Sequence, residues 1–314
     1  MDAGNQTVVS ELVLLGLTNC KQLKMPLFAL FSLVYLLTVL GNFGMAVIIW
    51  ISPQLHSSMY FFFFNLSLVD ACFSTTISPR MLLNFFLETA KISVIECAFQ
   101  MYFAVSFGST ECFLLAFMAY DRYIAICSPL YYSVIMTKHH CLLLMAISYI
   151  CGFLHSIIHT AATFVHSLCR TDIHHFFCDI QPLLKLSCQE TFTNEILLVI
   201  FSGSITLLCL LGTVISYLWI LNAIFKMYYS GVRYKTFSTC SSHLVSVFLF
   251  FGSVLFMYLR PNSSYKDQDL SASVFYSLVI PMLNPIIYSL RNRDVRLVLR
   301  RALSVNIPIN LGPH

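Results

Sequence analysis

The chain has 314 residues, 58% hydrophobic and only 10% charged, with 18 Lys and Arg against 14 Asp and Glu for a net charge of +4. A soluble domain carries roughly a quarter charged residues and a disordered chain is poor in apolar ones, so both classes are excluded. The small positive excess sits in loops, not on one face, which argues against nucleic-acid binding and leaves a membrane protein.

Residues 1–25 read as an outer N-terminal arm. It holds an N-x-T sequon at Asn5 and a short apolar run at 11–18 that lacks the basic flank and cleavage site of a signal peptide. Seven stretches then approach the roughly 20 apolar residues that cross a bilayer. They are 26–50, 59–79, 97–120, 141–165, 196–220, 237–259 and 270–290. Residues 26–290 are therefore expected to form an all-α, seven-helix transmembrane domain, and 291–314 a cytoplasmic tail. The run 291–303 alternates bases with Val295, Leu297, Val298 and Leu299, as a short amphipathic helix on the inner surface does. Loop bases set the orientation. With the N-terminus outside, the inner loops and tail hold ten bases against two acids, and the outer side seven against ten. No internal repeat of the transporter type is visible.

Cys169, Cys178 and Cys188 fall in the longest outer loop, and Cys97 lies at the outer end of the third span. Four cysteines on the oxidising side allow three pairings, and a bond from Cys97 to this loop would hold it as a lid. The loop also reads His174-His175-Phe-Phe-Cys178-Asp179. Metal ligation there conflicts with a disulfide at Cys178, so no metal is expected and the histidines read as polar loop residues. Of the sequons at Asn5, Asn65 and Asn262, Asn65 lies inside a span and Asn262 at the membrane edge, so Asn5 is the expected glycan site.

Asp70 and Glu111 are the only acids deep within the spans. Ionisable groups there are costly and face a polar interior. With Asn42, and with Ser67 and Asn284 as companions, they suggest either a cation or water site or a hydrogen-bonded network that packs the bundle. On the third span Ala104, Gly108, Glu111, Leu115 and Arg122 follow helical spacing on one stripe, so the residues above Glu111 are expected to line an outward cavity of small and apolar side chains.

The segment Met118-Ala-Tyr-Asp121-Arg122-Tyr123-Ile-Ala-Ile-Cys127 resembles the signature of odorant receptors among the rhodopsin-like G-protein-coupled receptors. Further matches occur in order: Gly41-Asn42, Met59-Tyr60-Phe61-Phe62, Pro79-Arg80-Met81-Leu82, His175-Phe-Phe-Cys178-Asp179, Lys235-Thr-Phe-Ser-Thr-Cys240 and Pro281-Met-Leu-Asn284-Pro285-Ile-Ile-Tyr288. The resemblance implies disulfides Cys97–Cys178 and Cys169–Cys188. It implies an inner switch of Asp121, Arg122 and Tyr123, with Arg122 held by its neighbour at rest, supported by Tyr217, His243, Asn284, Pro285 and Tyr288. It places the ligand at Val105, Gly108, Ser109, Phe201, Ser202, Ile205, Phe251, Leu255, Tyr258 and Ser277.

The expected function is thus a non-enzymatic plasma-membrane receptor, embedded in lipid and without a cofactor. It would bind a small, mostly neutral volatile odorant and activate a stimulatory, olfactory-type heterotrimeric G protein to raise cAMP. The alternative is a channel or transporter using Asp70 and Glu111. The sequence departs from the family pattern at Ser57-Ser58, at Tyr131, and at Phe251, where Tyr is usual.

Overall fold

A computed structural model describes residues 10–18, 20–227, 230–258, 266–291 and 295–298. Seven helices are long and apolar enough to cross a membrane. They are α1 Lys21–Ile51, α2 Ser58–Asn84, α3 Val94–Cys127, α4 Lys138–Phe164, α5 Phe192–Phe225 and α6 Ser230–Tyr258. The seventh, α7, runs as Lys266–Val274, a π-helical turn Phe275–Val279 and Ile280–Arg291. Each is longer than its apolar run, because backbone hydrogen bonding continues through the polar residues at the membrane faces. Thus α1 begins at Lys21, inside the segment expected to be free arm.

The helices are not equivalent. α2 and α3 are the most enclosed, whereas α1 and α5 leave Leu36, Leu40 and Trp50, and Leu207, Leu218 and Trp219, turned outward. In water such a surface would aggregate; lipid tails cover it in a bilayer. The main core runs between the helices through Phe62, Phe63, Leu66, Leu115, Phe250 and Tyr288.

Local chemistry sets several ends and joints. Ser93 caps α3 with a capping box: its Oγ accepts from Glu96 N at 3.1 Å, and its own N–H donates to Glu96 Oε2 at 3.2 Å. In α7, Pro285 has no N–H to offer the carbonyl four residues back, that of Pro281. Asn42 Nδ2 of α1 supplies the missing donor at 2.9 Å, while also bonding Thr38 O at 2.9 Å. The helices approach closely here, since a Cβ on Gly41 would lie 3.1 Å from Pro285 Cγ. Gly41, Asn42, Pro281 and Pro285 therefore form one joint between α1 and α7.

The outer face carries a small sheet. Strand β1, Glu11–Leu14, pairs antiparallel with β2, Lys91–Ser93, and parallel with β3, Asp172–Ile173, in the order β2-β1-β3. Leu12 and Leu14 alternate into a core with Ile92, Cys97 and Ile173. The described part of the outer arm is thus tied to the lid and to the start of α3. At the other end, residues 295–298 are helical and Val295 is buried in the main core; the rest of the expected amphipathic helix lies outside the described residues.

Candidate functional site

The lid is tied down at several points. Disulfides join Cys97 to Cys178 and Cys169 to Cys188, with Cα–Cα separations of 5.5 and 5.0 Å. Cys178 N donates to Gln100 Oε1 at 2.9 Å, and Gln100 Nε2 donates to Thr76 O at 3.1 Å, linking the lid to α3 and α2. Among the described residues no group of three or more metal-ligating side chains occurs.

Of the two lid histidines, His174 is exposed, but His175 is not the polar loop residue expected: it is buried at 5% exposure. Its ring stacks on Phe176, with centroids 4.7 Å apart, and meets Phe177 edge-on at 4.6 Å. Burial pushes its pKa down to about 4, so it is neutral.

Under the lid, between α3, α4, α5, α6 and α7, lies a cavity of about 80 Å³. Five expected ligand residues line it: Val105, Gly108 and Ser109 from α3, and Ser202 and Ile205 from α5. The others do not. Phe201 is 41% exposed on the lipid side, because its neighbour Ser202 faces in and adjacent helical positions point roughly 100° apart. Phe251 is buried edge-to-face on Phe250, and Phe250 takes the place on the cavity wall. Ser277 is fully buried and donates to Ser273 O at 2.6 Å. Leu255 is partly buried off the lining, and the Tyr258 side chain, like Asn5, lies outside the described residues.

The structure also brings in residues that sequence reasoning missed. His155 of α4 lies between Ser109 Oγ, 2.8 Å from Nδ1, and Ser202 Oγ, 2.9 Å from Nε2; His159 Nε2 is a further 3.2 Å from the same Ser202 hydroxyl. This chain ties α3, α4 and α5 along the cavity wall. The available signal was an ionisable side chain in mid-span, the same signal that singled out Asp70 and Glu111. Tyr276 of α7 comes so close that a Cβ on Gly108 would lie 2.5 Å from its hydroxyl, so a larger residue there would push the Tyr276 hydroxyl aside. Asp179 also reaches the lining.

Below the cavity, Asn284 Nδ2 of α7 donates to Asp70 Oδ2 of α2 at 2.8 Å, and Glu111 of α3 sits within electrostatic range of Asp70. All three are almost fully enclosed. Asp70 Oδ1, Glu111 Oε1, Asn284 Oδ1 and Asn42 Oδ1 make no hydrogen bond.

At the inner end, Asp121 is buried and accepts a hydrogen bond from Tyr132 OH at 3.0 Å. Half-buried, and beside this carboxylate, the Tyr132 phenol is pushed up to about 12. Asp121 and Arg122 lie within electrostatic range of each other, but no ion pair joins them among the described residues. Among the described residues the one ion pair is Lys91–Glu11, on the outer face. Consecutive helical residues diverge, so an adjacent acid and base on a helix do not face one another. Arg122 also lies within electrostatic range of Tyr217, His243 and Tyr288. Tyr217 OH is 2.7 Å from His243 Nδ1, joining α5 to α6, and the Tyr288 ring packs tilted against Phe63, with centroids 4.1 Å apart. Tyr123, partly buried, packs against the core around Tyr217 and Cys240.

Comparison with known proteins gives the family. A family profile described as "Olfactory receptor" matches residues 31–306. Olfactory receptor 5AP2 of Mus musculus is 50% identical over 301 residues, covering 95% of each chain. Olfactory receptor 5K1 of Homo sapiens is 48% identical over 95% of this chain and 98% of its own length. Olfactory receptor-like protein OLF1 of Canis lupus familiaris is 46% identical over 97% and 98%.

Proposed function

The chain belongs to the olfactory receptor family of non-enzymatic, multi-pass plasma-membrane proteins, and on that premise we propose that it converts binding of a small volatile odorant under the lid into activation of a stimulatory heterotrimeric G protein, raising cAMP. The observation that carries this reading is the stacking of three layers along α3: the cavity at Val105, Gly108 and Ser109, the polar cluster at Glu111, and the switch at Asp121 and Arg122. One rigid helix touches all three, so a ligand that rearranges α5 to α7 against α3 at the cavity alters packing around Arg122.

The mechanism is a population shift. A ligand moves the receptor toward an open inner face only by binding that state more tightly. Opening separates the inner ends of α3 and α6 and exchanges the Tyr217–His243 contact for new partners, Arg122 and Tyr288 among them. Asp70, Glu111, Asn284 and Asn42 present acceptor oxygens without donors, a chemistry that suits a water or a monovalent cation at the pivot. Family membership removes the ground for the channel or transporter alternative. Asn5 remains the proposed glycan site.

The test is an odorant panel on cells carrying a cAMP reporter, with and without the stimulatory α subunit. Responses should need that subunit and vanish in Arg122→Ala at matched surface expression. Responses unchanged in Arg122→Ala would overturn the assigned switch.

A further inference from the structure

The cavity beneath the lid is bounded mainly by hydrocarbon and by hydroxyl and imidazole groups, several of them bonded to one another. Asp179 is the one carboxylate among its lining residues. It follows the disulfide-bonded Cys178, whose N–H is held by Gln100, so its backbone has little freedom. One carboxylate oxygen, Oδ1, accepts from Ile180 N at 2.8 Å and caps the short helix Ile180–Leu184. The other oxygen has no hydrogen-bond partner among the described residues, and no cation of those residues pairs with the group. Burial disfavours its charged form and pushes its pKa up, with the Ile180 N–H opposing. Asp179 is only partly buried, so water in the vestibule reaches this oxygen until a ligand displaces it.

Its position is at a boundary. Asp179 and Met257 line both the inner cavity of about 80 Å³ and an outer vestibule of about 510 Å³, so they lie where the two adjoin. The inner cavity that Asp179 lines is walled in part by Phe177, Ile180, Phe250 and Tyr276. A group arriving there meets an acceptor oxygen in an apolar setting, where a charge-assisted hydrogen bond is about twice as strong as a neutral one. The cavity is smaller than the roughly 300–1,000 Å³ of sites for drug-sized molecules, which restricts occupants to short skeletons.

We infer that Asp179 is a specificity-determining residue that selects small ligands carrying a hydrogen-bond donor, short-chain alcohols and amines, over donorless ethers and aldehydes of the same skeleton. This rests on the reading of the cavity as the odorant site. It replaces the sequence-based picture of a pocket with no charged group in its wall.

The experiment measures ligand-induced stabilisation of the purified full-length receptor in lipid nanodiscs, and in parallel cAMP in cells. The probes are matched short-chain alcohols, amines, methyl ethers and aldehydes. The expected result is saturation by alcohols and amines at about tenfold lower concentration than by the matched ethers and aldehydes. Asp179→Leu should reduce that preference to within about twofold. Asp179→Asn keeps an acceptor for both Ile180 N–H and an alcohol, so it should fold and retain the alcohol preference while losing that for amines. Equal binding of ethers and alcohols by the native receptor, a donor preference that survives Asp179→Leu, or silence toward the whole panel overturns the inference. A donor preference in binding without any cAMP response would instead sink the receptor reading and leave Asp179's role standing.

Discussion

The serine–histidine chain on the cavity wall and the polar cluster below it handle buried polarity in opposite ways. Around the cavity Ser109, His155, Ser202 and His159 satisfy one another, and two disulfides and a three-stranded sheet fix the lid above them. Deeper in, Asn42, Ser67, Asp70, Glu111, Asn284, His243 and Tyr288 each keep a buried polar atom without a partner. A fully paired network has one good arrangement, whereas an under-paired one has several of similar energy and can exchange between them. The difference assigns sensing to a rigid outer half and switching to an adaptable inner one.

If the outer half owes its rigidity to the lid, breaking Cys97–Cys178 has the largest effect. Cys97→Ser with Cys178→Ser should cost about 2–5 kcal/mol, read as a fall in thermal midpoint and in surface expression. Next comes the joint between the halves. Asn42→Ala strands the Pro281 carbonyl with no donor, a loss of about 1–3 kcal/mol in thermal unfolding, whereas a loss no larger than that of an exposed α1 substitution would show the bond to be dispensable.

A gentler effect follows from His175, whose folded pKa of about 4 lies below the unfolded value of about 6.5. The unfolded chain takes up the proton first, so this contribution to stability is fully present above about pH 6.5 and fades as pH falls toward 4. The thermal midpoint of the native receptor should therefore drop more steeply over that window than that of His175→Phe. The smallest effect is at the exposed Lys91–Glu11 pair, 2.8 Å apart, where the partner carboxylate raises the Lys91 pKa. Solvent screens such pairs, and Glu11→Gln should leave the midpoint unchanged within error.

The two halves also differed in how far they could be read from sequence. The spans declare themselves by length and hydropathy, because a bilayer imposes both. The buried acids are legible because ionisable groups inside a span are costly, and α3 spacing alone places Val105, Gly108 and Ser109 on the cavity. The sheet was not legible: strands of two to four residues give too few repeats for alternation to register, although Leu12 and Leu14 do alternate. Nor was the choice between Phe250 and Phe251, or Ser202 and Phe201, since adjacent residues on an apolar helix are separated only by its rotation in the bundle. Asp179 was noted as a possible metal ligand, not as part of the cavity wall, since only the folded lid turns it there.

The most direct test of a rigid outer half driving an adaptable inner one is a pair of distances measured by electron paramagnetic resonance in nanodiscs, with spin labels at the inner ends of α3 and α6 and at the outer ends of α3 and the lid. Saturating odorant, with G protein present, should widen the inner distance by several ångströms and leave the outer one unchanged within error. An inner distance that stays fixed while the lid moves would contradict the account.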